Sequence, residues 1–143
     1  MRLTEHFTLE EFTHSETAER LHVDNSPQDA AVLHELTKTA ELLEQVRAIV
    51  NCAIKISSGY RSPELNRLIG GVPNSQHVKG QAADIDAVGM NAAELFEAIG
   101  ANIVFDQCIR EFDAWVHISQ SDTPRRQRLV AHYVDDKKAY LEV

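Results

Sequence analysis

The chain has 143 residues, of which 43% are hydrophobic and 25% charged. That is the make-up of one ordinary soluble globular domain, whose core forms without help from a disulfide or an oligomer. A net charge of −8 argues against nucleic-acid binding through phosphates, which needs a basic face, and against electrostatic docking on anionic lipid.

The opening stretch MRLTEHFTLEEF carries Glu and His early and no continuous apolar run, so it does not read as a secretory signal. No segment approaches the ~20 apolar residues that span a bilayer. The protein is therefore expected to be made in the cytoplasm and to reach any outside substrate by other means. Residues 1–28 read as a polar, broken N-terminal extension packed on a single domain of 1–143, with a helix start at Thr8, where Thr-Leu-Glu-Glu has the form of a capping box. Asn25-Ser26-Pro27 marks a turn. Over 28–50, Leu33, Leu36, Ala40, Leu43 and Val50 recur at helical spacing, and Asn51 can end the helix.

The alternation of Ala53-Ile54-Lys55-Ile56-Ser57 predicts a short strand. Ser62 as cap and Pro63 in the first turn predict a helix over 63–69. A loop over 70–75 leads to a buried strand over 82–87. Asn91 with Glu94 opens a helix over 92–99, closed by Gly100. Strands are expected over 103–109, 115–119 and 128–133. The tally is an α+β fold, N-terminal helices packed on a small, mostly antiparallel sheet. Cys52 and Cys108 form no CxxC and read as free, buried thiols.

Five of the seven histidines (His6, His14, His22, His34 and His132) sit in polar surroundings that single none of them out. His77 and His117 have more informative neighbours. In SQHVKGQAADID, Gly80 lets the chain turn sharply, and small Ala82 and Ala83 begin the strand that carries Asp84. Alternation puts Asp84 on one strand face with Ala82 and Asp86; Asp86 reads as a supporting or surface residue. In WVHIS, Trp115, His117 and Ser119 share a face while Val116 and Ile118 enter the core. Two histidines and one aspartate make the protein ligand set of an open zinc site, with a fourth position left for water or substrate.

SGYRSPELN at 58–66, SQHVKGQAADI at 75–85 and WVHIS at 115–119 occur in order. Together they resemble the zinc D-alanyl-D-alanine carboxypeptidase superfamily of murein peptidases, whose relatives include the vancomycin-resistance dipeptidases and the hedgehog signalling domain. The resemblance implies a hedgehog/DD-peptidase-like fold with Zn2+ held by His77, Asp84 and His117. HFTLEEFTHSETAERLHVDNSP resembles the branch found in bacteriophages and prophages, and the resemblance weakens after about residue 122.

Some family members place the catalytic carboxylate three residues before the last histidine, where this chain has Ala114. Others, the hedgehog branch among them, place it six before, at Glu111. Glu111 is thus the expected general base, with Asp113 as the alternative. By the same resemblance Arg61 orients substrate or stabilises charge on the attacked carbonyl, the forked guanidinium being suited to both. Ser75 and Gln76 are expected to bind substrate or orient His77, and Tyr60 to pack.

The function implied is a zinc metallopeptidase acting on peptidoglycan stem peptides, a D-Ala-D-Ala-type carboxypeptidase or a cross-link endopeptidase. It would be a monomer with no nucleic-acid or membrane partner, and would reach the cell wall as an endolysin after holin-type release or as a virion component. The alternative is a module that keeps zinc but serves in binding or virion structure.

Overall fold

A computed structural model describes residues 1–143. Two short helices open the chain. Thr8 caps Leu9–Thr13 (α1) with a reciprocal capping box: its hydroxyl accepts from the Glu11 N–H and the Glu11 carboxylate accepts from the Thr8 N–H. Ser15 caps Glu16–Leu21 (α2), a helix the sequence does not announce, which ends at His22 in the left-handed conformation. Phe7 and Phe12 are fully buried in the core. Asn25, itself buried, donates to Thr13 O and Tyr60 O and accepts from the Ser62 N–H. The opening segment is thereby tied to the loop after the first strand.

Asp29 caps Ala30–Val50 (α3), and Asn51 ends it with φ 52°. Leu36, Ala40, Leu43 and Val46 recur on one face and are fully buried. Strand Ile54–Ser58 (β1) is followed by Pro63–Leu68 (α4), capped by Ser62 with proline in its first turn. Next come Ala82–Ala87 (β2), Ala92–Asn102 (α5), Gln107–Glu111 (β3), Trp115–Ser119 (β4), Gln127–Val134 (β5) and Lys137–Glu142 (β6). The six strands form one sheet in the order β1-β2-β4-β3-β5-β6, antiparallel at every junction except β3–β5.

Helices α3 and α5 cover one sheet face. Ala83, Ile85, Ala87, Cys108, Val116 and Ile118 from β2, β3 and β4 meet Leu36, Leu43, Phe96 and Ile99 there to form the core. Alternation sends Asp84, Glu111 and His117 to the opposite face. Both cysteines are free, Cys108 buried and Cys52 half-buried, and burial pushes the Cys108 thiol up to about 12. No helix is long and apolar enough to cross a membrane.

Beyond shifts of one or two residues, the chain after β2 differs from the sequence reading in three ways. Gly100 does not close α5, which runs on to Asn102. The glycine instead makes room for Arg128, since a Cβ there would sit 2.6 Å from Arg128 Nε. The strand expected from residue 103 starts at Gln107, because Ile103 caps the longer helix. The third difference is β6, absent from the sequence reading, which returns along β5 after a tight turn at Asp135 and Asp136, both with positive φ.

Candidate metal centre

His77 is buried and held from several sides. Ser75 Oγ accepts its N–H at 3.2 Å. Its carbonyl accepts from the N–H groups of Arg61 at 3.2 Å and Gly80 at 3.3 Å. Its ring Nδ1 donates to the Gly59 carbonyl at 2.7 Å, which leaves the Nε2 lone pair facing Asp84. Two glycines make this approach possible. A Cβ on Gly59 would meet Phe12 O at 2.6 Å, and Gly80 combines φ +76° with a would-be Cβ contact of 2.9 Å to Val32 O.

Asp84 on β2 lies in register with His117 on β4. Its Oδ1 is 2.9 Å from His117 Nδ1 and 3.6 Å from His77 Nε2. Burial opposes a charge on Asp84. The contacts from His117 and then His77 outweigh that burial and hold its carboxyl well below the usual carboxylate range. One ligand atom from each of His77, Asp84 and His117 lies within 4.8 Å of the others. A tetrahedral zinc with bonds of ~2.0–2.1 Å separates its ligand atoms by about 3.4 Å. The donor set, its spacing and the fixed His77 tautomer fit that ion, and the partly open sheet face leaves room for a further ligand.

A cleft of about 370 Å³ opens beside His117, lined also by Arg61, Ser75, Gln76, Glu111 and Lys138. Glu111 is 6% exposed. Its Oε2 makes no hydrogen bond, and the nearest cation is Lys138 Nζ at 3.4 Å. Lys138 is held over the rings of Tyr140 at 5.1 Å and Phe112 at 5.6 Å, and Phe112 stacks on Tyr133 at 4.4 Å. Burial works against the Lys138 charge, but Tyr140 and Glu111 beside it raise its pKa above the ordinary lysine value. The alternative carboxylate, Asp113, sits exposed in the β3–β4 turn, paired with Arg110 Nε at 3.0 Å, and does not line the cleft.

Arg61 is half-buried, and its Nε has no hydrogen-bond partner. Its one side-chain hydrogen bond is a long one of 3.5 Å from Nη2 to Ser75 Oγ. Burial lowers its pKa, with Asp84 acting in the opposite sense. Gln76 donates to Asp106 Oδ2 at 2.9 Å. Asp106, 3% exposed, also receives Arg125 Nε at 3.0 Å and Nη2 at 2.7 Å. Arg125 first, against burial, brings the Asp106 carboxyl down to about 2. Tyr60 is buried and packs, and Asp86 is exposed.

The structure thus gathers His77, Asp84, His117, Arg61, Ser75, Gln76 and Glu111 into one region and leaves Asp113 outside it. Sequence reasoning missed Gly59 as the carbonyl that orients His77, the Asp106–Arg125 pair behind Gln76, and Lys138 with Tyr140. The profile of a family described as Peptidase M15 matches residues 5–119. The match spans the clustered His77, Asp84 and His117 as well as Arg61 and Glu111, and stops before β5. No curated protein matches the chain.

Proposed function

The chain belongs to the peptidase M15 family, and from that premise we propose that it is a zinc-dependent peptidase hydrolysing peptide bonds of bacterial peptidoglycan. The observation that carries this reading is the convergence of His77, Asp84 and His117 within 4.8 Å, beside a buried carboxylate and a guanidinium that share one cleft.

Zinc held by His77 Nε2, Asp84 Oδ1 and His117 Nδ1 would supply Lewis acidity to a scissile carbonyl and lower the pKa of an attacking water toward ~7. The chain's own groups do the rest. Gly59 O keeps the His77 Nε2 lone pair aimed at the site. Glu111 takes a proton from the attacking water as its oxygen bonds to the carbonyl carbon, then delivers it to the amine nitrogen as the C–N bond breaks. Arg61, whose Nε is unpartnered, donates to the carbonyl oxygen as it gains negative charge. Delivery to the wall would follow release through a membrane lesion, or carriage on a virion.

Digestion of purified peptidoglycan by the zinc-loaded protein, with new termini identified by mass spectrometry, tests the reading. His117→Ala is expected to lose bound zinc and activity together; full zinc stoichiometry in that variant rejects the ligand assignment. Glu111→Gln is expected to keep zinc and lose turnover by roughly 10²–10⁴-fold. If Asp113→Asn is the variant that loses turnover, the base has been misassigned. Zinc retained by the wild type with no new termini would favour a binding module, in line with alanine at position 114.

A further inference from the structure

We infer that the substrate lies across the strands in a groove open at both ends, and that the bond cut is internal to the peptide rather than its C-terminal one. This rests on the peptidase reading above and concerns only which bond is cut.

The first support is strand order. Asp84 and His117 sit on β2 and β4, the second and third of six strands, so sheet continues on both sides of the ligand cluster. On one side is β1, where Ser58 lies in register with Asp84. A cleft of about 500 Å³ opens there, lined by Ser58, Tyr60 and Arg61 and by His14, Ser15 and Thr17 of the opening segment. On the other side β3 and β6 floor the 370 Å³ cleft of Glu111, Lys138 and Tyr140. Arg61 lines both clefts and so marks their junction beside the ligands. Each cleft is open to solvent and lies within the ~300–1,000 Å³ usual for a ligand site, so each has room for a length of peptide.

The second support is the disposition of charge. An enzyme that removes a C-terminal residue gains by closing one end of its site and placing a free cation there for the terminal carboxylate. Neither end of this groove offers one. Arg125 is taken up by Asp106, and Lys138 stands beside Glu111. The β1-side cleft holds no Lys or Arg other than Arg61, its His14 stands beside Glu19 at 3.6 Å, and Arg61 stands at the middle. The outer wall on the β6 side is built by the C-terminal hairpin, beyond residue 119, where the family match ends.

The experiment offers the zinc-loaded protein a cross-linked muropeptide dimer and an uncross-linked stem pentapeptide ending in D-Ala-D-Ala. The dimer is expected to be cut at an internal bond, with no free D-alanine released from the pentapeptide. D-alanine release from the pentapeptide at a rate matching or exceeding dimer cleavage overturns the inference. Thr17 lines the β1-side cleft and Val72 the cleft of Glu111, so Thr17→Trp and Val72→Trp each obstruct one arm; with folding checked by circular dichroism and zinc content unchanged, each is expected to raise KM for the dimer about tenfold, ~1.4 kcal/mol. An unchanged KM in both variants also overturns the groove. A zinc-loaded wild type that cuts neither substrate removes the peptidase reading itself, and this inference with it.

Discussion

Glu111 presents a simple physical problem. A carboxylate 6% exposed is costly to keep ionised unless a counter-charge or hydrogen bonds support it, and its Oε2 has no hydrogen bond. Lys138, at 3.4 Å, is the cation that answers it, and the flanking Tyr140 and Phe112 rings limit where the ammonium can go. Lys138 is therefore a positioning residue for the proposed base. Lys138→Met is expected to lower kcat about tenfold with KM and zinc content little changed, and Lys138→Arg to recover most of the loss. Steady-state kinetics on a fixed muropeptide read this out, and equal losses in the two variants would mean that the side chain serves packing rather than charge. Nothing in the sequence near Glu111 points to a lysine 27 positions later. Local patterning brings out Asp84 and His117 because strand alternation fixes their faces, and His77 because it sits in the short loop that Gly80 turns into β2. It cannot bring out Lys138, whose place depends on β6 folding back along β5 and on β5 pairing with β3 in parallel.

At the scale of elements, the sheet positions Asp84, Glu111 and His117, while loops position His77, Arg61 and Gln76. The loop before β2 is fastened through Asn66 Nδ2 donating to Val72 O at 2.8 Å, Thr39 Oγ1 donating to Gly80 O at 2.7 Å, and Gln76 donating to Asp106. Asp106 also secures the segment leading into β5 through the Arg125 backbone and side chain. Its carboxyl, held at about 2 in the folded state, lies below its unfolded value, so its contribution is fully present above about pH 4 and is lost as pH falls through 2. The difference is worth about 2 kcal/mol. Urea denaturation should show wild type more stable than Asp106→Asn by about that amount at pH 6, with the gap narrowing between pH 4 and pH 2. A gap that stays constant over that range would assign the effect to packing. Helices α1, α3, α4 and α5 and the central strands are legible in the sequence because caps at Thr8, Ser62 and Asn91 and the periodicity of α3 are local signals. Helix α5 overran its expected stop because Gly100 answers to the distant Arg128. The hairpin to β6 leaves little trace in the sequence because Asp-Asp is a weaker turn signal than Asn-Gly and β6 is largely exposed, with no alternating apolar face.

Across the whole molecule, the proposed ion would join the loop before β2 to β2 and β4, and through Gly59 O it would reach the segment that Tyr60 N–H fastens to Phe12 O. Unfolding separates these pieces and destroys the ligand set, so zinc bound to the folded chain adds directly to its stability. At a free zinc concentration ~1,000 times the dissociation constant the gain is about 4 kcal/mol, which for a chain of this length raises Tm by roughly 8–16 °C. Chelation of the wild type should reverse that shift, and His117→Ala should melt at one temperature with or without zinc. Glu111→Gln should show the full shift, because that carboxylate is assigned to proton transfer and not to metal binding. Calorimetry of the three proteins therefore separates ligand from base without any substrate present. A zinc-dependent shift that survives in His117→Ala would put the ion elsewhere on the chain, and a shift lost in Glu111→Gln would make Glu111 a ligand.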